Sequence, residues 1–421
     1  MNRLHVQEMD KLDPLRSYPE RFVVQDPKVC YLDGNSLGRL PKQTIEVLNR
    51  FLSDEWGSKV VEGWNEWVDE AQSTGDLVGR SALGAAADQV LVLDTTSVNL
   101  YQLAVAAIKA RPKRKTIIID AANFPTDRYI FQGIAKQFGL NLVLIDNEDS
   151  TIAEHELITP EILRKYLTDD VALVSLQVVN YRSGAKQDVK ALTELVKDCG
   201  AYLLWDAAHA IGSVELDFDA SGVQIAVGCT YKYGNSGPGA PAWLYVNKEV
   251  QEELHVPIQG WFAQENQFEM GSTFKRVAGM RGFQIASPSL LGLRSVQVAF
   301  SMIEEAGIGN IAEKCQRGTS LMVELFDEWL SDLGFTLGTP RDANQRGGHL
   351  ALKHSDAELI ARAMRSQIHV IPDFRAPDVI RVAISPLTNT YEEIYEGFHR
   401  IKQLVESKKY LDVPDSESRV R

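Results

Sequence analysis

The sequence predicts an α/β protein: a large domain on a mainly parallel, seven-stranded sheet, followed by a smaller α+β domain. Two observations lead there. Between about residues 90 and 246, seven short apolar or β-branched runs alternate with segments of helical period. From about Ser289 onward long helical periods take over, with strand-like runs only at Leu350 to Leu352 and Val379 to Ile384. Strands separated by helices pair in parallel and are covered on both faces, which explains runs that are apolar throughout. The expected division is 1–65 as an N-terminal arm and small-domain segment, 66–288 as the large domain, and 289–421 as the C-terminal small domain.

A chain of 421 residues exceeds one compact core, and its 44% hydrophobic and 24% charged content is that of an ordinary soluble protein. The net charge of -13 argues against nucleic acid as a partner, since phosphate backbones are bound by clustered Lys and Arg. The basic run Arg111-Pro112-Lys113-Arg114-Lys115 reads as a solvated loop before a strand. Cys30, Cys199, Cys229 and Cys315 lie far apart without CxxC spacing, which predicts neither a metal site nor a disulfide framework and fits a reducing cytoplasm. The first eight residues turn polar before any signal-peptide core could form, and no run is long enough to span a bilayer.

Taken in order, residues 1 to 30 carry mixed charges and read as an arm. Tyr31-Leu32-Asp33-Gly34-Asn35-Ser36-Leu37-Gly38 is a tight turn feeding a helix from about Pro41 to Leu52, with proline at its first position. Trp56, Trp64 and Trp67 crowd the next segment, either as core or as the wall of a pocket for a flat substrate. The seven strands are Val90 to Leu93, Thr116 to Ile119, Asn141 to Ile145, Val171 to Ser175, Tyr202 to Trp205, Ile225 to Val227 and Ala242 to Val246. Between them stand helices at Val98 to Ala110, Arg128 to Phe138, Pro160 to Leu167 and Val189 to Cys199, the last closed by Gly200. Helices at Leu290 to Glu305 and Cys315 to Leu333 follow, and Ser407 to Arg421 is a polar, frayed end.

Chemistry gathers where these strands end. Gly228-Cys229-Thr230-Tyr231-Lys232-Tyr233 follows an apolar run, and the Gly/Pro-rich turn Gly234 to Gly239 after it can continue neither a helix nor a central strand. Asp206 closes another buried strand, with His209 three residues on, where open α/β sheets keep their ligands. Lys232, Asp206 and His209 together point to a lysine that condenses with the aldehyde of pyridoxal phosphate and an acid that keeps the pyridine nitrogen protonated. Asp94-Thr95-Thr96-Ser97 is either a phosphate cradle at a helix start or a plain N-cap. Phe124 either lies flat on the cofactor or packs in the core, and Asp127 is placed to cap the next helix.

In this order the signposts resemble the kynureninase family, pyridoxal phosphate enzymes of fold type I in the aminotransferase class V group. The matching stretches are Leu32 to Gly38, Asp94 to Ser97, Asn123 to Asp127, Asn180-Tyr181, Asp206 to His209, Gly228 to Tyr233 and Gly260-Trp261-Phe262, covering nearly the whole chain. The resemblance implies that Lys232 carries the cofactor covalently, that Asp206 faces the pyridine nitrogen and that Phe124 stacks on the ring. It implies a phosphate site from Thr96, Ser97 and Tyr231, with Asp127 and His209 beside the cofactor. Trp261 and Ser287 would reach it from the partner subunit of a homodimer with active sites at the interface. Arg381 would receive the substrate α-carboxylate, and Trp64, Asn35 and Gln264 would line the substrate pocket. The implied reaction is hydrolytic Cβ-Cγ cleavage of L-kynurenine or 3-hydroxykynurenine to an anthranilate and L-alanine, with Lys232 as base and Tyr231 as proton donor.

The sequence departs from the family pattern at Ala263 and Gln264, where Gly-His is usual, and at Gly234 and Ser236 in the turn after the lysine. It departs again at Thr388, where an aromatic is usual, and at Ser287 and Gln177. These changes collect around the substrate side chain and keep a second reading open. That reading is a kynureninase-like enzyme acting on a different amino acid as a C-S lyase, decarboxylating deaminase or epimerase. A catalytically silent scaffold is a third.

Overall fold

The computed structural model describes residues 2–145 and 157–413. Its large sheet has seven strands in the order Val90–Val92, Trp243–Val246, Ile225–Gly228, Tyr202–Asp206, Val171–Gln177, Thr116–Asp120, Asn141–Ile145. Trp243–Val246 runs antiparallel to both of its neighbours, and the other pairs are parallel. Alternate residues feed opposite faces. Leu203 and Trp205 enter one apolar cluster, whereas Tyr202 and Leu204 enter the other. Every residue of Val171–Gln177 and Tyr202–Asp206 is buried, as strands with helices on both sides must be.

The expected strands all form, with ends shifted by a residue or two. Helix starts differ more. The helix placed from Arg128 begins at Pro125, because proline has no N–H to satisfy and a φ already suited to a first turn. Pro41 stands one residue before its helix, Lys42–Arg50, which then continues in a wider turn over Phe51–Trp56.

The smaller unit carries a four-stranded antiparallel sheet ordered Asp373–Arg375, Val379–Ala383, His349–Lys353, Thr336–Leu337. Helices Ile308–Trp329, Ala357–Ile368 and Tyr391–Glu406 bury their apolar stripes against it. The preceding helix, Leu290–Ala306, instead packs Leu293, Val296, Phe300 and Ile303 into a cluster of the large sheet.

The N-terminal arm is knitted into the smaller unit. Its helix Arg3–Leu12 buries Val6 there, and the Asp10 carboxylate accepts the backbone N–H groups of Tyr391 and Glu392 at 2.8 and 2.9 Å. A buried ion pair, Asp13 to Lys314 at 2.7 Å, holds the arm's exit. Cys30–Tyr31 then pairs in parallel with Val370–Ile371, which brings the Asp33 to Gly38 turn between the two units. The frayed end expected from Ser407 lies outside the described residues beyond residue 413. Before that point Lys409–Asp412 forms a helical turn and Tyr410 is buried among apolar side chains, whose burial outweighs the segment's polarity.

Candidate active site

Lys232 follows the strand Ile225–Gly228, on a loop held from both sides. Thr230 Oγ1 donates to the Pro241 carbonyl at 2.8 Å, and Asn235, at φ 55°, donates its amide to the Tyr233 carbonyl at 2.7 Å. From the N-terminal turn, Gly38 N–H donates to the Tyr231 carbonyl at 2.8 Å. A Cβ on Gly38 would stand 2.4 Å from the Lys232 carbonyl oxygen, so only glycine permits this approach. Lys232 Nζ lies 2.8 Å from His209 Nε2. Burial lowers the lysine pKa, opposed by the Cys229 and Asp206 charges, and pushes His209 well below the usual imidazole range, so burial disfavours the charged form of each.

Asp206 ends the neighbouring strand and accepts the Ala208 N–H at 2.8 Å. Asp127 comes close enough for the two carboxyl groups to influence each other. Burial raises both pKa values, and the charge of Asp206 raises that of Asp127 further, while Lys232 opposes the rise in each. Asp127 was expected to cap its helix, but its helix start has no side-chain cap, and the residue sits inside the first turn with Oδ2 unpartnered. With proline leading that turn, one fewer N–H needs an acceptor, and the carboxyl is left to the cavity.

The two readings of Thr95 to Ser97 separate cleanly. Thr95 is the N-cap, its hydroxyl accepting from Val98 N–H at 3.2 Å, whereas Thr96 and Ser97 line the cleft at the helix N-terminus. Phe124 is only partly buried; it lines the cleft and meets Tyr181 edge to face, ring centroids 5.2 Å apart. The nearby Cys229 thiol and burial raise the pKa of the Tyr231 phenol, so Tyr231 keeps its proton.

One cavity of about 210 Å³ joins these groups. It brings together Lys232, Tyr231, Asp206, His209 and Asp127, then Thr96, Ser97, Phe124 and Asn35, and from the smaller unit Arg381. Arg381 is 1% exposed. Its Nε donates to Asp373 at 2.6 Å, one terminal nitrogen to the Tyr181 carbonyl, and the other to Ser36 Oγ at 3.0 Å. Burial and the Asp373 charge push the nearby Asp33 carboxyl up to about 6.

Four expected residues stand outside this cavity in the single chain. Trp64 and Ser287 line a separate, largely apolar pocket of about 530 Å³ with Phe51, Trp56 and Trp67. Trp261 is 41% exposed, and Gln264 uses its side-chain oxygen to accept the Lys275 N–H at 2.7 Å. Thr388 is buried in the smaller unit, bonded to the Ser385 carbonyl. Arg375, which no pattern in the sequence singled out, does line the cavity. Its only sequence signal is the Asp373-Phe374-Arg375 alternation, ordinary for an edge strand.

Several buried polar atoms on the lining have no partner among the described residues: both amide atoms of Asn35, Asp127 Oδ2, Gln177 Nε2 and His209 Nδ1. Burial without a partner is costly, so the cavity is built for a polar guest. An amine for an aldehyde, a carboxyl for a pyridine nitrogen, hydroxyls at a helix N-terminus for a phosphate and an aromatic ring for a planar face fit pyridoxal phosphate.

Comparison with known proteins agrees with this chemistry. A family model described as "Kynureninase C-terminal domain" matches residues 311–401. The chain is 31% identical over 415 residues to a kynureninase of Pseudomonas fluorescens, covering 97% of this chain and 95% of that one. It is 34% identical over 413 residues to a kynureninase of Geobacillus thermodenitrificans, covering 96% and 94%. Among solved structures, an apo cysteine desulfurase of Thermococcus onnurineus aligns with a TM-score of 0.77 at 19% identity, over 90% of this chain and 95% of that one. C-DES, solved with glycine covalently linked to its PLP cofactor, aligns at 0.79 and 14% identity, over 89% and 97%. These two likenesses establish the fold.

Proposed function

The chain belongs to the kynureninase family, and from that premise we propose how its residues carry out hydrolysis of L-kynurenine or 3-hydroxykynurenine to (3-hydroxy)anthranilate and L-alanine. The observation that carries the reading is the meeting of Lys232, Asp206 and Arg381 in one cavity of a chain related to kynureninases over almost its full length.

Pyridoxal phosphate supplies, when bound, a covalent anchor for the substrate and a ring that withdraws the electron pair released at the α-carbon. Lys232 would hold it, and its amine, whose pKa burial lowers, would take the α-proton. Asp206 would keep the ring nitrogen protonated. Thr96 and Ser97, with Tyr231, would hold the phosphate, Phe124 would cover the ring, and His209 and Asp127 would stand beside it. Arg381 orients the substrate through its carboxylate, with Asn35 nearby. Water adds to the γ-carbonyl; the Cβ-Cγ bond breaks with its electron pair going to Cβ and the acyl carbon leaving as the anthranilate carboxyl. Tyr231, which retains its phenol proton, protonates the carbon that becomes the alanine methyl and is reset by the proton from water, and Lys232 returns its proton to the α-carbon.

A second copy of the chain completes the site, with Trp261, Gln264 and Ser287 presented across the interface and Trp64 beside it. Support comes from the apolar pocket around Trp64 and Ser287, whose rim exposes Trp56, Val60 and Val61 by more than half. The large unit, about 66–288, carries the cofactor residues, and the C-terminal unit, about 289–421, contributes Arg381. A cytoplasmic location is supported by four free cysteines; no helix among the described residues is long and apolar enough to cross a membrane.

The test is direct. The purified holoenzyme mixed with L-kynurenine should generate anthranilate fluorescence and equimolar alanine. Absence of both at high enzyme concentration, with 3-hydroxykynurenine equally inert, overturns the reading. Light scattering should give the mass of a dimer.

A further inference from the structure

Arg381 is a crowded receiver. Three of its five N–H groups already donate, to Asp373, to the Tyr181 carbonyl and to Ser36. One N–H is left on each terminal nitrogen, so an arriving carboxylate shares the fork with partners already in place. Arg381 is rigid, buried and positioned, but partly committed.

Arg375 is placed to make up the shortfall. It shares the short strand Asp373–Arg375, and residues two apart on a strand face the same way, so Asp373 and Arg375 point together. Asp373 lies opposite Arg381 in the sheet, which brings that guanidinium to the same face. Asp373 Oδ2 meets Arg381 Nε at 2.6 Å and Arg375 Nε at 2.8 Å, so one carboxylate serves two cations. The terminal nitrogens of Arg375 have no partner among the described residues, its side chain is 37% exposed, and it lines the cavity that holds Lys232. A guanidinium with both terminal nitrogens open, beside one already partly committed and with one shared counter-charge, is an acceptor for an anion.

Resting on the function proposed above, we propose that Arg375 is a second substrate-binding arginine: its terminal nitrogens grip the α-carboxylate, and Arg381 aligns it. Asp373 acts as a positioning residue, holding both guanidinium groups at one spacing.

The test compares Arg375→Gln and Arg375→Lys with the unsubstituted holoenzyme, using retention of the visible cofactor band to show that each variant has folded. With L-kynurenine, Arg375→Gln should raise KM roughly tenfold and leave kcat within about twofold, the loss expected for one partly solvated charge-assisted contact. Arg375→Lys should fall between the two. Spectral titrations with L-alanine and L-alaninamide isolate the carboxylate. The glutamine variant should lose about tenfold in affinity for alanine and little for the amide. Equal weakening of both ligands, or of neither, overturns the inference, whichever of the two variants folds. Because the titrations need no turnover, they decide on Arg375 even if the unsubstituted enzyme forms no anthranilate, an outcome that counts against the proposed reaction alone.

Discussion

Replacing Arg381 with lysine keeps the charge and removes the fork. In the native protein three nitrogens reach three partners: Asp373 at 2.6 Å, Ser36 at 3.0 Å and the Tyr181 carbonyl. A single ammonium cannot reach all of them from one strand position, and two contacts are lost. Hydrogen bonds to charged groups contribute about 1.5–3 kcal/mol each, so the loss is roughly 3–6 kcal/mol. Part of it appears as stability, because Asp373 is left buried and underpaired. The part that orients the substrate carboxylate appears in kcat/KM, which should fall roughly a hundredfold to a thousandfold at about 1.4 kcal/mol per factor of ten. The assay is anthranilate release, normalised to the visible absorbance of retained cofactor. Arg381→Lys within fivefold of the parent at equal cofactor content would refute the assignment of Arg381 as the orienting residue.

Borohydride reduction of the holoenzyme followed by peptide mapping should place the label on Lys232, and Lys232→Ala should lose both the visible band and turnover; label on any other side chain sinks the site. Gly38→Ala puts a methyl 2.4 Å from the Lys232 carbonyl and 2.7 Å from Asn235 Cα, an overpacking that costs about 1–3 kcal/mol. The cofactor dissociation constant, followed by absorbance, should rise at least fivefold; an unchanged constant would show that the two turns are not coupled. His349 is fully buried, and burial, with Arg381 and Lys232 nearby, holds its pKa well below 6.5. Below pH 6.5 the unfolded chain takes up a proton there that the folded chain does not, so stability falls with falling pH by up to about 1.4 kcal/mol per unit. His349→Gln cannot take up that proton, and the drop in its urea midpoint between pH 7 and pH 5 should be smaller than the parent's; an equal drop removes His349 from the acid response.

Local pattern was enough for the seven strands, since each is a short aliphatic or aromatic run, and all but the edge strand Asn141–Ile145 are buried along nearly their whole length. It also singled out Lys232, Asp206 and His209, which the fold gathers in one cavity, because strand ends in such sheets are where ligands sit. The choice between N-cap and cradle at Thr95 to Ser97 was not legible, because it depends on which hydroxyl turns back to Val98. The cap at Asp127 was misplaced because Pro125 starts the helix earlier than its apolar period does.

By itself, then, the amino-acid order determined the class of fold and the family, each written in short runs of neighbouring residues along the chain. Only the tertiary structure decided that Arg375 shares Asp373 with Arg381, that the Asp33 to Gly38 turn is fastened to the Lys232 loop, and that Trp64 and Ser287 open onto a different surface. The first depends on the register of two neighbouring strands, and the other two join residues far apart in the chain. They follow from how strands register and units dock, and a single sequence carries no local signal for either.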